Sequence, residues 1–201
     1  KQLGIYDNPS ELLSISLGSA ETTLLKLTSA YCSFVNGGKL VNPIMIDRIQ
    51  DGEGNTIFNN EKRKCLDCDE ISFLSKRYPK IEDKFPQIFS SETAYQMTSI
   101  LEGVVQRGTG KKLRDLKLDI AGKTNCVSSL LLVKSKLAIG VYVGSDNPRS
   151  LGKHETGAKT ALPIFKSFIK NAIKKDEARP FKVPDNILMM VIDPLTGQKA
   201  D

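Results

Sequence analysis

Few side chains in this sequence can do covalent chemistry at neutral pH, and their spacing limits what that chemistry is. Four cysteines are present, Cys32, Cys65, Cys68 and Cys126, and two of them form the run Cys65-Leu66-Asp67-Cys68. A pair so spaced can bind metal, exchange as a redox couple, close a short disulfide or stand idle. A zinc site needs four ligands, and neither a second such pair nor a histidine pair completes one. A thioredoxin-type pair opens a helix after a strand, whereas this one sits in a charged stretch. The residues therefore favour a loop disulfide or two idle thiols over metal. His154 is the single histidine; with no serine or cysteine signalled as its partner it reads as a surface residue rather than a general base. Asp115 and Asp119 lie near Lys123, but nothing in their spacing makes them a carboxylate pair. Gly52-Glu53-Gly54 and Gly108-Thr109-Gly110 are not phosphate loops, because neither leads into a helix carrying GK[ST]. No cofactor or metal is expected.

The elements that must position these groups follow from hydrophobic period and turn chemistry. Glu21 to Asn36 predicts a helix with Leu24, Leu27, Ala30, Tyr31, Phe34 and Val35 on one face, stopped by Gly37-Gly38. Leu40 to Ile49 is strand-like, Asp51 to Asn55 is a turn and Thr56-Ile57-Phe58 returns, which makes a β-hairpin. Asn59 to Gln87 is charged, holds Pro79 and Pro86, and predicts a long surface loop. Ser90 or Ser91 caps a helix to about Arg107, with Tyr95, Met97, Ile100, Leu101 and Val104 inward. In Arg107-Gly108-Thr109-Gly110 the arginine suits the helix end electrostatically and the glycines close it. Asp119 to Thr124 predicts a short strand and Leu137 to Val143 a second; Asn125 to Lys136 has no assignable period. Ala158 to Lys174 predicts a helix with Leu162, Ile164, Phe165, Phe168, Ile169 and Ala172 inward and Pro163 in its first turns. Pro180, Pro184 and Pro194 punctuate an extended tail in which Met189-Met190 pack a hydrophobic face. Helices interleaved with a hairpin, without a βαβ glycine fingerprint, imply an α/β (α+β) fold: an antiparallel or mixed sheet flanked by helices.

Composition narrows the function classes. Hydrophobic residues are 40% and charged residues 26% of 201, which is globular rather than disordered. The net charge of +6 is spread thinly, with a modest cluster from Lys166 to Lys175, and no nucleic-acid-binding signature accompanies it. A solvated basic face is the reading, not a nucleic-acid partner. Leu130 to Val143 is the most apolar run, but Lys134 and Lys136 break it and it is too short to span a bilayer, so no transmembrane segment or signal peptide is expected. The first residue is Lys1 rather than Met, which fits a piece of a longer polypeptide.

Several strings in order carry a resemblance. Ser16-Leu17-Gly18-Ser19-Ala20-Glu21-Thr22-Thr23-Leu24-Leu25 leads to Thr28-Ser29-Ala30-Tyr31 and Phe34-Val35-Asn36-Gly37-Gly38. Tyr95 to Val105, Arg107-Gly108-Thr109-Gly110, Ala121-Gly122-Lys123-Thr124, Gly140-Val141-Tyr142-Val143-Gly144 and Asp146-Asn147-Pro148-Arg149 follow. This order resembles the C-terminal part of the transpeptidase domain of bifunctional (class A) penicillin-binding proteins of Gram-negative bacteria. The resemblance covers nearly the whole chain and extends to the loop cysteine pair.

That family builds its site from three motifs, S-x-x-K, S-x-N and K-T-G. The serine attacks a stem-peptide carbonyl or a β-lactam ring, the lysine beside it moves protons, and the acyl-enzyme passes to an amine. The third motif lies on an edge strand, where its lysine charge and threonine hydroxyl receive the substrate carboxylate. By resemblance Lys123 and Thr124 are the substrate-binding pair. The third position is Asn125 rather than glycine, which would crowd the strand. The run after it, Asn125 to Leu132, departs from the family and is shorter, as a compensated frameshift or internal deletion would make it. The resemblance places the first two motifs upstream of Lys1, so no catalytic residue is expected in this chain and the chain alone is expected to be inactive. Ser145-Asp146-Asn147, Ser150-Leu151-Gly152-Lys153 and Ser167-Phe168-Ile169-Lys170 have motif form but follow Lys123, the wrong order. The alternative is a non-catalytic remnant or binding module, or one half of a split protein. Residues 1–178 read as the incomplete domain and 179–201 as the tail. The implied partners are peptidoglycan stem peptides, β-lactams and the N-terminal half of the domain. The implied location is the periplasmic face of the inner membrane, with the anchor outside this chain.

Overall fold

The computed structural model describes residues 1–17, 20–60, 64–68, 78–82, 85–124, 129–134, 137–145, 147, 151–152, 155–173, 180–193 and 195–199. Its centre is a three-stranded antiparallel sheet in the order β3-β4-β5, with β3 Ala121–Thr124, β4 Ser129–Lys134 and β5 Leu137–Tyr142. Gly122 stands opposite Leu132 on one side of the ladder, and Leu132 opposite Ile139 on the other.

β4 falls in the stretch whose sequence shows no period, and the reason is its position. It is the middle strand and is buried on both faces: Leu130, Leu131, Leu132 and Val133 are each at most 2% exposed. A strand covered on both sides has no polar face to alternate with, so its run reads as readily as a piece of helix. Leu130 and Leu132 join a cluster with Val105, Leu113, Ile120, Ala161, Leu162, Phe165 and Ile169. Val133 joins Leu101 and Ala121, against which Tyr31, Phe34, Val35 and Phe181 pack.

Three helices cover this sheet. α1 spans Leu24–Val35, α2 Ser91–Gln106 and α3 Gly157–Ala172. α1 starts at Leu24 rather than Glu21, because Thr23 is extended and its hydroxyl accepts from the Lys26 amide at 3.2 Å, an N-cap. Its deepest residues are small, Ser29, Ala30 and Ser33, so the helix settles close on β5. Gly140 is where it presses hardest: a Cβ there would lie 2.3 Å from Thr28 Oγ1 and 2.9 Å from Leu24 Cδ1.

α2 begins after Ser90, whose hydroxyl accepts from the Thr93 amide. Its inner face is Ala94, Thr98, Leu101 and Val105; Met97 and Ile100, expected inside, are exposed. Small and polar Ala94 and Thr98 carry no hydrophobic signal, but Thr98 donates to the Ala94 and Phe34 carbonyls and so can be buried. In α3, Ala161, Leu162, Phe165 and Ile169 face the core, whereas Ile164 and Phe168 are about half exposed. Pro163 lies inside that helix rather than in its first turn; it removes the N–H that would meet the Lys159 carbonyl, and Pro163 is exposed.

The hairpin forms from β1 Arg48–Gln50 and β2 Thr56–Asn59, antiparallel with a bulge at Ile49/Gln50. Its turn is set by Asp51, whose carboxylate accepts from the Glu53 and Asn55 amides and the Asn55 side chain. The expected strand from Leu40 shortens to three residues, since Pro43 cannot donate to a ladder. In the following stretch Cys65 and Cys68 are joined in a disulfide, and Cys65 bridges to Ile81 and Lys39 to Gln87. From Pro180 the chain runs extended, and Ile192 bridges back to Lys199. Among the described residues no helix is long and apolar enough to cross a membrane.

Candidate functional site

Lys123 and Thr124 end β3, which is an edge strand of the sheet among the described residues. Lys123 is exposed and Thr124 partly buried. The strand is held from behind at Gly122, where a Cβ would meet the Leu131 carbonyl oxygen at 2.3 Å and Leu132 Cδ2 at 2.2 Å. That close approach is why a glycine precedes the pair; among the described residues no strand pairs with the outer edge of β3.

A residue that the sequence reading passed over meets Thr124. α2 closes with Arg107 and Gly108 amides on the Gly103 carbonyl and the Gly110 amide on the Val104 carbonyl at 2.9 Å. Gly108 and Gly110 lie against that last turn so closely that a Cβ on either would sit 3.0–3.2 Å from Val104. Thr109, between them, is thereby seated facing β3, and its hydroxyl shares a 2.5 Å hydrogen bond with that of Thr124. Threonine flanked by two helix-ending glycines was a legible signal, but one that turn chemistry alone already explains.

Carboxylates gather beside this end of α2. Partial burial, then the neighbouring Asp119 carboxylate, push the Glu102 carboxyl above its ordinary value; Arg107 and the Gln106 amide pull the other way. Asp115 is occupied elsewhere. It pairs with Lys166 at 2.5 Å, and this bond holds its carboxyl below the usual range. Lys166 also donates to the Lys112 carbonyl, so the pair ties α3 to the 3-10 turn Lys111–Leu116. Asp115 and Asp119 therefore do not act together.

The other candidates separate from this place. A cleft of about 740 Å³ opens at the N-terminal end of α2, lined among others by Phe34, Lys39, Glu92, Tyr95, Phe181 and Asn186. It lies roughly 24 Å along the helix from the end that carries Thr109. Asn186 donates to Glu92 and Tyr95 to Met189 Sδ, which straps the tail across α2. Asp67, buried between the paired cysteines, accepts from the Lys80 amide at 2.6 Å, so the cysteine run acts as a loop clamp. Among the described residues no group of three or more His, Cys, Asp or Glu is placed to hold a metal. Ser167 and Lys170 are exposed on α3. Asn125, Asp146, Ser150, Lys153 and His154 lie outside the described residues.

An antiparallel sheet flanked by helices is the architecture of penicillin-binding transpeptidase domains. Residues 4–124 match the family of the penicillin binding protein transpeptidase domain, and the chain belongs to that family. It is 38% identical over 207 residues to penicillin-binding protein 1A of Rickettsia prowazekii, covering 98% of this chain and 26% of that protein. It is 29% identical over 222 residues to penicillin-binding protein 1A of Pseudomonas aeruginosa, with 93% and 27% covered. The crystal structure of penicillin-binding protein 1A from Haemophilus influenzae superposes with a TM-score of 0.79 at 30% identity, over 99% of this chain and 33% of that one. These relatives are class A, Gram-negative proteins, and the chain spans about a quarter of the length of the first two.

Proposed function

We propose that this chain forms the carboxylate-receiving side of a peptidoglycan D,D-transpeptidase, the penicillin-binding enzyme that cross-links cell wall through a serine acyl-enzyme. The observation that carries this reading is the exposed Lys123 beside a Thr124 whose hydroxyl is already hydrogen-bonded, on the open edge of β3. In the reading, a stem peptide or β-lactam lies along that edge as an added strand. Lys123 attracts its carboxylate, Thr124 donates a hydrogen bond to it, and the scissile carbonyl is presented to a serine from an S-x-x-K sequence outside these 201 residues. Catalysis then proceeds at the periplasmic face of the inner membrane.

Packing against the rest of the domain is supported by the apolar side chains left uncovered, among them Leu13 at 92%, Met45 at 85%, Leu188 at 84% and Leu195 at 93% exposure. Isolated residues of this kind are ordinary on a surface; so many, on several elements, suit a chain that a further polypeptide covers.

The test is covalent labelling of the purified chain with a fluorescent penicillin, resolved on a denaturing gel. No label is expected. A label that excess unlabelled penicillin prevents would mean that a serine of this chain is the nucleophile, and the assignment of the nucleophile to another segment would fall.

A further inference from the structure

We infer that Thr109 is a positioning residue for substrate carboxylate, acting through Thr124; this rests on the proposed role of β3. The two hydroxyls are 2.5 Å apart. A hydroxyl has one proton to give and two lone pairs to receive. Between two threonines alone, either can donate, and when Thr124 does so its proton is turned towards Thr109.

A carboxylate arriving at the β3 edge removes that ambiguity. It accepts the Thr124 proton, which leaves Thr109 as the donor into the Thr124 oxygen. The result is a directed chain, Thr109 hydroxyl to Thr124 hydroxyl to carboxylate, in which the first bond polarises the second. Thr109 also holds Thr124 in one side-chain rotamer before the ligand arrives. Threonine is stiff at χ1, so fixing that one angle fixes the hydroxyl oxygen and leaves only its proton to turn.

The surrounding sequence reads as the means to this end. Gly108 and Gly110 allow the loop to sit against Val104 and Val105, and Leu113, completely buried, anchors the turn that follows. A side chain at either glycine would crowd Val104 and push the loop that carries Thr109 outward.

The test compares binding of two probes by isothermal titration to the protein in its natural full-length polypeptide. One is a synthetic pentapeptide ending in D-alanyl-D-alanine with a free carboxylate; the other is the same peptide as its C-terminal amide. Thr109→Val keeps the shape and removes the hydroxyl. It is expected to weaken the carboxylate peptide about 3- to 10-fold, the effect of one neutral hydrogen bond, and to leave the amide peptide unchanged. Thr109→Ser is expected to restore the carboxylate preference. Equal weakening of both peptides, or no weakening, overturns the role of Thr109 while leaving that of β3 standing. Absence of any carboxylate preference in the unaltered protein, with Lys123→Ala equally without effect, overturns both. Independently of any variant, three-bond couplings should report a single χ1 rotamer for Thr124, and rotamer averaging there would also refute the inference.

Discussion

Leu132→Ala tests the account of the sheet on which the candidate site depends. Leu132 is 2% exposed, sits in the middle strand β4 and is paired to Gly122 on one side and Ile139 on the other. Its side chain belongs to the cluster that joins the sheet to α3. Removing three buried carbon atoms costs their transfer free energy and leaves a cavity, together roughly 2–5 kcal/mol. The upper part of that range applies here. Both neighbouring strands hold the β4 backbone in place, and Gly122 has no side chain to fall into the space, so the site cannot collapse. With a urea slope of about 2 kcal/mol per molar, the unfolding midpoint should fall by roughly 2–2.5 M. Ile164→Ala, on the half-exposed side of α3, is the control and should cost less than about 1 kcal/mol. Equilibrium urea denaturation followed by far-UV circular dichroism reads both variants. A loss below about 1 kcal/mol for Leu132→Ala, at unchanged slope, would mean that the stretch after Thr124 is not the buried centre of the sheet, and the edge position of Lys123 and Thr124 would lose its support.

Two further outcomes follow from contacts described above. Gly140→Ala should destabilise by about 1–3 kcal/mol, read from the same urea titration, because the new methyl meets Thr28 and Leu24 where α1 presses on β5; a neutral result would show that α1 sits further from the sheet. Glu102 has a folded-state carboxyl raised above its ordinary value of 4.5. The folded state therefore binds its proton more tightly than the unfolded state, so this contribution is fully present below pH 4.5 and is lost as the pH rises through the raised value. Glu102→Gln should flatten that fall in a series of melting curves taken upward from about pH 4, and an unchanged pH profile would count against a carboxyl raised by burial and, after it, by Asp119.

The sequence by itself determined what is local. The Gly37-Gly38 stop, the Asp51 turn and the Ser90 cap mark boundaries through hydrogen bonds spanning five or fewer residues. The resemblance carried by strings such as Ala121-Gly122-Lys123-Thr124 gave the family. The fold class and the family agree with the structure; the helix faces do so only in part. Met97, Ile100, Ile164 and Phe168 are hydrophobic yet exposed, while Thr98 is polar yet buried. Burial depends on which neighbour covers a face, and no residue type carries that information.

Tertiary structure alone decided the rest. The run from Leu130 to Val133 became a strand because two other strands and helices from both sides enclose it. Asp115 was drawn to Lys166, 51 residues away, instead of to Asp119. The Thr109 and Thr124 hydroxyls, 15 residues apart, met because the end of α2 is seated beside the end of β3. Short-range rules read off bonds within one turn of chain; a site made from two elements exists only once packing has brought their ends together.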